Sequence, residues 1–382
     1  MLERCFNFNI KKSHSIFLFG PRACGKSYWL AHNLKDVTYI DLLDTRVRMD
    51  LEADPSRLST YLNKAVKTWV IIDEIQKIPE LLNIVHQLIE KEGRRFILTG
   101  SSARKIRRSG ANLLAGRALS YRMYPLTAFE LGVNFKIEKS LLYGNLPSLY
   151  DKQDLDYDKY LYTYVNTYLK EEVMFEGLTR NLGAFSRFLE TASFSQGSSL
   201  NMSEVAREAA IKVNTIISYF DLLEDMLIAY RIPVFTKRAK RRLVSHPKFY
   251  FFDAGVYQHL RPKSILDSQS EIAGAALETL ILQDLIAIND YKDLKYKIYY
   301  WRTVSGSEVD FILLGSKKLL AIEVKHSKRA TEKDLKGLKA FKQDYPEADL
   351  LLVYLGQENL KINDVQVIPA TDFLLKLPDY LF

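Results

Sequence analysis

Cysteine is almost missing from this 382-residue chain: only Cys5 and Cys24 occur. That leaves no disulfide framework and agrees with a reducing compartment. No apolar run approaches the roughly 20 residues a membrane helix needs. The opening Met1-Leu2-Glu3-Arg4-Cys5 also lacks the charged-then-apolar pattern of an export signal. A cytoplasmic protein with no membrane attachment is therefore expected. Low-complexity tracts and internal repeats are absent too, and 47% hydrophobic, 12% aromatic and 26% charged residues exclude general disorder. What the chain does have is length: at about 150 residues per domain, it makes two or three domains.

Acidic charge is scarce in one region only. The net charge of +8 resolves into 23 basic and 14 acidic residues over 1–150, 13 and 13 over 151–245, and 18 and 19 over 246–382. Two dense basic runs stand out, Arg104-Lys105-Ile106-Arg107-Arg108 and Lys237-Arg238-Ala239-Lys240-Arg241-Arg242. Either run reads as a solvated loop or as a phosphate-binding patch.

The clearest motif follows the apolar run Ile16–Phe19. Gly20-Pro21-Arg22-Ala23-Cys24-Gly25-Lys26-Ser27 leads into the helix-compatible Tyr28-Trp29-Leu30-Ala31. The order strand, loop, helix with spacing G-x-x-x-x-G-K-S brings backbone N–H groups and a helix N-terminus to phosphate oxygens. Lys26 is expected to reach the β and γ phosphates of ATP, and Ser27 to ligate Mg²⁺. A second strand pattern, Thr68–Ile72, ends in Asp73-Glu74. Asp73 would hold the Mg²⁺ through water and Glu74 would polarise the attacking water as general base. Further strands at Val37–Asp41 and Phe96–Thr99, with a helix over Pro79–Glu92, predict a parallel sheet carrying its ligand at the carboxyl edge.

Together with Asp73-Glu74-Ile75-Gln76, Leu98-Thr99-Gly100-Ser101-Ser102, Gly116-Arg117, Tyr124-Pro125-Leu126, Glu130 and Gly144-Asn145-Leu146-Pro147, this region resembles the prokaryotic AAA-type P-loop ATPases over residues 1–150. The resemblance implies that Thr99 and Ser101 sense the γ-phosphate. It also makes Arg117 a candidate charge-stabilising arginine, in the same or a neighbouring subunit, and so implies self-association through the ATPase domain.

Residues 151–250 read as a helical, Tyr-rich segment followed by a winged-helix pattern. Ser203 is expected to cap a helix, Ala210–Asn214 to turn, and Thr215–Leu227 to form a second amphipathic helix carrying Asn214, Thr215, Ser218 and Tyr219 as its DNA-facing residues. The helix has no arginine, so base readout is weakly supported. Phosphate contact by Lys237, Arg238, Lys240, Arg241 and Arg242, forming the wing, remains open, as does a protein-binding role.

Residues 251–382 carry two strand patterns, Glu308–Leu314 and Leu319–Lys325, joined by Gly315-Ser316-Lys317-Lys318. Pairing Leu314 with Leu319 sets Asp310 opposite Glu323 and Glu308 opposite Lys325. Facing carboxylates repel, so a Mg²⁺-type cation between Asp310 and Glu323 is one expectation. A Glu308–Lys325 ion pair that merely fastens the hairpin is the other. Asp, a gap, then Glu-x-Lys resembles the restriction-endonuclease-like superfamily, which implies Asp310 and Glu323 as metal ligands and Lys325 as the residue orienting the attacking water. Glu278, on a helix over Glu271–Ile288, matches the acidic residue some members add. Tyr299–Arg302 would be the first strand.

The expected class is therefore α/β: an AAA-type parallel-sheet domain (1–150), a helical lid with a winged helix (151–250) and a restriction-endonuclease-like domain (251–382). The expected function is Mg²⁺-dependent ATP hydrolysis, driving a switch on DNA or RNA. The alternatives are a regulatory ATPase with protein-binding distal domains, and a nucleotide-gated nuclease.

Overall fold

The computed structural model describes all residues except 1–2, 9–13, 63–68, 103, 105–113, 152–153, 176–180 and 266. Most of the first basic run, Lys105–Arg108, lies outside the described residues. The chain divides into two compact units, one of residues 6–125 with 225–227, the other of 1–5, 126–224 and 228–382. The expected domain limits at 150 and 250 are finer than this division into two units. Among the described residues no helix is long and apolar enough to cross a membrane.

The first unit is built on five strands: β1 Ser15–Phe19, β2 Thr38–Asp41, β3 Trp69–Asp73, β4 Arg95–Gly100 and β5 Ala118–Arg122. All pair in parallel, in the order β2-β3-β4-β1-β5. Every residue of β1 and β3 is buried, as expected of central strands in a parallel sheet covered on both faces. Phe17, Phe19, Val70, Ile72, Phe96 and Leu98 meet Leu81, Leu82, Val85 and Leu88 of the helix Leu81–Glu92 in one core. Each such side chain contributes about 1.5–3 kcal/mol when fully buried. That core fixes the carboxyl ends of β1, β3 and β4, where the nucleotide motifs lie.

In the second unit the helices Leu182–Ser193, Met202–Ala209 and Val213–Asp225 precede an antiparallel pair, β6 Ala229–Ile232 and β7 Lys248–Phe251. The cap of the second helix is Asn201, whose side chain accepts from the amides of Ser203 and Glu204, rather than the expected Ser203. Of the expected DNA-facing residues, Asn214 and Ser218 are exposed, but Tyr219 is buried against Phe185 and Phe188. The later turns of that helix present Asp221 and Glu224, which grip Arg231, so its polar face is largely acidic.

The rest of the second unit is a six-stranded mixed sheet in the order β12-β13-β11-β10-β9-β8, from β8 Lys297–Arg302, β9 Glu308–Leu314, β10 Leu319–Lys325, β11 Asp349–Tyr354, β12 Leu360–Ile362 and β13 Val365–Pro369. β8, β9 and β10 run antiparallel, and β11 returns parallel to β10 after the helix Lys336–Asp344. The register of β9 with β10 is the expected one, beginning at Leu319 opposite Leu314. The 23-residue helix Gln269–Tyr291 carries Glu278. The basic run 237–242 lies in the connection from β6 to β7. That connection runs along the open edge of β8 through bridges of Val234 with Tyr300 and of Leu243 with Thr303.

Candidate nucleotide site and carboxylate pocket

At the end of β1 the chain turns at Gly20, where a side chain has no room: a Cβ would stand 2.2 Å from the carbonyl oxygen of Met123. Ala23 and Gly25 both take positive φ (67° and 89°), a conformation that favours glycine at Gly25. Gly25 then precedes the helix Lys26–Asn33, which no side chain caps at its N-terminus. A loop of this shape directs successive amides at an anion. Lys26 is buried, and its Nζ donates to the carbonyls of Gly20 (2.6 Å) and Pro21 (3.1 Å). Cys24 is buried in the loop, and neither cysteine is in a disulfide.

Three hydroxyls from three elements converge on the Asp73 carboxylate. Ser27 Oγ donates to Oδ2 at 2.7 Å, Tyr39 Oη donates to the same oxygen at 2.5 Å, and Thr99 Oγ1 donates to Oδ1. Burial, reinforced by the Asp73 carboxylate, pushes the Tyr39 phenol well above its ordinary range. Thr99 Oγ1 also accepts from the Glu74 amide (3.1 Å), which ties β4 to the left-handed Glu74 (φ 62°) at the end of β3. Gln76 Nε2 donates to Glu74 Oε2 (2.5 Å) and to Ser101 Oγ (3.3 Å). Thus Lys26, Ser27, Asp73, Glu74, Thr99 and Ser101 gather at one sheet edge, as expected. Tyr39 and Gln76 join them without having been assigned a role from sequence. Ser27 and Asp73 are hard oxygen donors within reach of each other, so this pair fits Mg²⁺ whose remaining ligands come from nucleotide and water.

Arg117 is not brought there. It stands at the amino end of the sheet, where Ser15 N donates to its carbonyl, and its guanidinium pairs with Glu90. The length of β1 separates it from the loop, roughly 13 Å at 3.3 Å per residue. Parallel pairing puts the start of β5 beside the start of β1, so the backbone of Arg117 lies at the end of the sheet opposite the loop.

The second unit holds a pocket of about 450 Å³. Glu278, Asp310, Glu323 and Lys325, the residues read together from sequence, line it, and so do Glu308 and Lys248, to which no role in the site had been given. Lys248 Nζ lies 2.5 Å from Glu308 Oε1, 2.9 Å from Asp310 Oδ1 and 3.6 Å from Glu278 Oε2. Asp310 Oδ2 accepts from the Val324 amide (2.9 Å). Lys325 Nζ donates to Glu323 Oε1 (2.6 Å), while Glu323 Oε2 is buried with no hydrogen-bond partner. The expected Glu308–Lys325 pair is replaced: Glu308 binds Lys248 and Arg302, and Lys325 binds its strand neighbour Glu323.

Protonation follows from this crowding. Burial first, then Asp310, push Glu278 up to about 7. The same causes raise Glu323 well above the usual carboxylate range. Burial works against the Lys248 ammonium, but the carboxylates led by Asp310 outweigh it and hold the ammonium well above its ordinary value. Lys248 Nζ and the Val324 amide each bond one oxygen of Asp310, so the ammonium stands beside the carboxylate that a Mg²⁺ between Asp310 and Glu323 would use. Among the described residues no group of three or more His, Cys, Asp or Glu is placed to hold a metal ion.

Known proteins divide the chain in a compatible way. Residues 12–132 match the model of an AAA domain. Residues 134–267 and 273–373 match two domains of unknown function, DUF8612 and DUF4143. The chain is 25% identical over 371 residues to the uncharacterized protein Rv2008c of Mycobacterium tuberculosis, covering 94% of this chain and 80% of that one. It is 24% identical over 377 residues to the uncharacterized protein MJ1544 of Methanocaldococcus jannaschii, covering 90% and 80%. Among solved structures, protein VC1899 from Vibrio cholerae aligns over 91% of this chain and 97% of its own at 15% identity. Can2 from Sulfobacillus thermosulfidooxidans, solved with cyclic tetra-adenylate, aligns over 91% and 99% at 13%. The TM-score is 0.24 in both cases, too low to establish a common fold. The match over residues 12–132 supports an AAA-like domain and with it nucleotide binding.

Proposed function

We propose that the chain is a Mg²⁺-dependent ATPase whose second unit couples nucleotide state to a polyanionic partner. The observation that carries the first half is the 2.7 Å approach of Ser27 Oγ to Asp73 Oδ2 beside the loop that holds Lys26. In this reading the loop amides and Lys26 take the phosphates, with the ammonium leaving the Gly20 and Pro21 carbonyls for the β and γ oxygens. Ser27 would ligate Mg²⁺ and Asp73 would hold it through water, and the ion would supply charge neutralisation on the phosphates. Glu74, fixed by Gln76, orients the attacking water and accepts its proton. Thr99 and Ser101 report the γ-phosphate to the end of β4. Arg117 acts on nucleotide only from a neighbouring subunit, if the domain self-associates. Lys26→Ala should weaken ATP binding about 10- to 150-fold, the loss expected for one charged hydrogen-bond donor worth about 1.5–3 kcal/mol. Isothermal titration with a non-hydrolysable analogue reads this directly, and unchanged affinity would remove the assignment.

The partner reading rests on a groove of about 510 Å³ lined by Arg241, Lys333, Lys336 and Lys339, with Lys237, Arg238, Lys240 and Arg242 exposed nearby in sequence. We read the partner as DNA or RNA held through its phosphates rather than its bases, because the helix Val213–Asp225 turns acidic side chains outward. The succession of helix Gln269–Tyr291, antiparallel β8-β9-β10 and parallel β11 supports a restriction-endonuclease-like fold that binds without cutting. The three helices before β6 and β7 support a winged helix used for packing. A protein partner is the alternative, favoured if no nucleic acid binds at low salt.

A further inference from the structure

Five carboxylates line the pocket of the second unit, Glu278, Glu308, Asp310, Glu323 and Asp334, and the neighbouring strands β9 and β10 bring Asp310 and Glu323 into it together, which favours a positive charge among them. We propose that this charge is Lys248: the side chain is the resident cation of the pocket, standing where a divalent metal would otherwise bind and keeping metal out. The inference goes beyond the ATPase reading and does not depend on it.

Lys248 is only 2% exposed. Burying an ammonium costs several kcal/mol unless anions surround it, and here they do: Glu308 and Asp310 of β9 and Glu278 of the long helix all lie within 3.6 Å of Nζ. Carboxylates from separate elements meeting at one point are what a hard cation selects. The lysine fills that point with its own charge and hydrogen bonds. Its backbone is held on both sides, since Lys248 pairs with Ile232 across β6 and bridges Ser199. The ammonium is thus delivered by a fixed strand, at an effective concentration that a free ion must overcome. Asp310 Oδ1 accepts from Lys248 and Oδ2 from the Val324 amide, so an ion approaching Oδ1 meets the ammonium first. The unpartnered Glu323 Oε2 shows that the pocket still has acceptor capacity. Removing Lys248 should therefore create a metal site.

The test uses the full chain without nucleotide and Mn²⁺ as probe, with free Mn²⁺ read by electron paramagnetic resonance. Wild type should show no Mn²⁺ binding that Asp310→Asn removes. Lys248→Met, which keeps length and loses charge, should gain about one Mn²⁺ per chain and lose it again when combined with Asp310→Asn. Lys248→Gln, which retains a donor toward Asp310, provides the same readout if the methionine variant does not fold. Mn²⁺ binding by wild type that depends on Asp310 would overturn the proposal, and so would a folded variant that gains no site. If neither variant folds, the wild-type comparison decides alone: Asp310-dependent binding overturns the proposal, and its absence at millimolar Mn²⁺ supports it.

Discussion

Asp73 receives hydroxyls from β2, from the loop helix and from β4, and the proposed chemistry of the first unit is built on that convergence. A carboxylate held by three donors is fixed in orientation. In the second unit the residue-scale consequence is a pH effect at Glu278. Its folded value of about 7 lies above the ordinary 4.5 of a glutamate, so between those values the folded chain keeps a proton that the unfolded chain has released. Its contribution to stability is fully present below about pH 4.5 and is lost as pH rises through about 7. Glu278→Gln should flatten that part of the curve, so the fall in melting temperature from pH 5 to pH 8 should be smaller in the variant than in wild type. An equal fall in both would show that Glu278 does not titrate there. Lys26, Ser27, Asp73 and Glu74 were legible in the sequence because their spacing places them at strand ends. Tyr39 and Lys248 were not, because each reaches its site through tertiary packing that no local pattern encodes.

Among elements, β9 and β10 were read to the residue, since a four-residue connection leaves one register that buries both apolar faces. The same reading misassigned the ion pairs, because Lys248 comes from β7, about 60 positions away in sequence from Glu308 and Asp310. The winged-helix expectation placed Tyr219 on a DNA-facing surface, whereas the aromatic ring packs inward against Phe185 and Phe188. Helical periodicity allowed either face. The connection between β6 and β7 bears the basic run along β8, and Arg241 is partly engaged there by Asp344. The groove beside it predicts a binding mode. Lys333→Ala combined with Lys336→Ala should weaken duplex binding evenly across sequences and lower the slope of log K against log salt by about 2, one phosphate contact per lysine. Anisotropy of a labelled duplex across a salt series reads that slope, and an unchanged slope would move the contact elsewhere.

At the scale of the whole molecule, the chain joins an AAA-type unit to a larger unit in which helices, β6-β7 and the six-stranded sheet pack together. The sequence indicated three parts. The middle and final parts share one core region, with Phe235 from the β6–β7 connection packed among Trp301, Phe341 and Tyr345, a merging that charge and composition do not signal. The central claim belongs to the AAA-type unit, and Glu74→Gln tests it most directly. The glutamine keeps the shape of Glu74 and removes its basicity, so phosphate release from ATP and Mg²⁺ should fall by about 10²–10⁴-fold while ATP stays bound at wild-type affinity. Phosphate release at the wild-type rate from this variant would contradict the account.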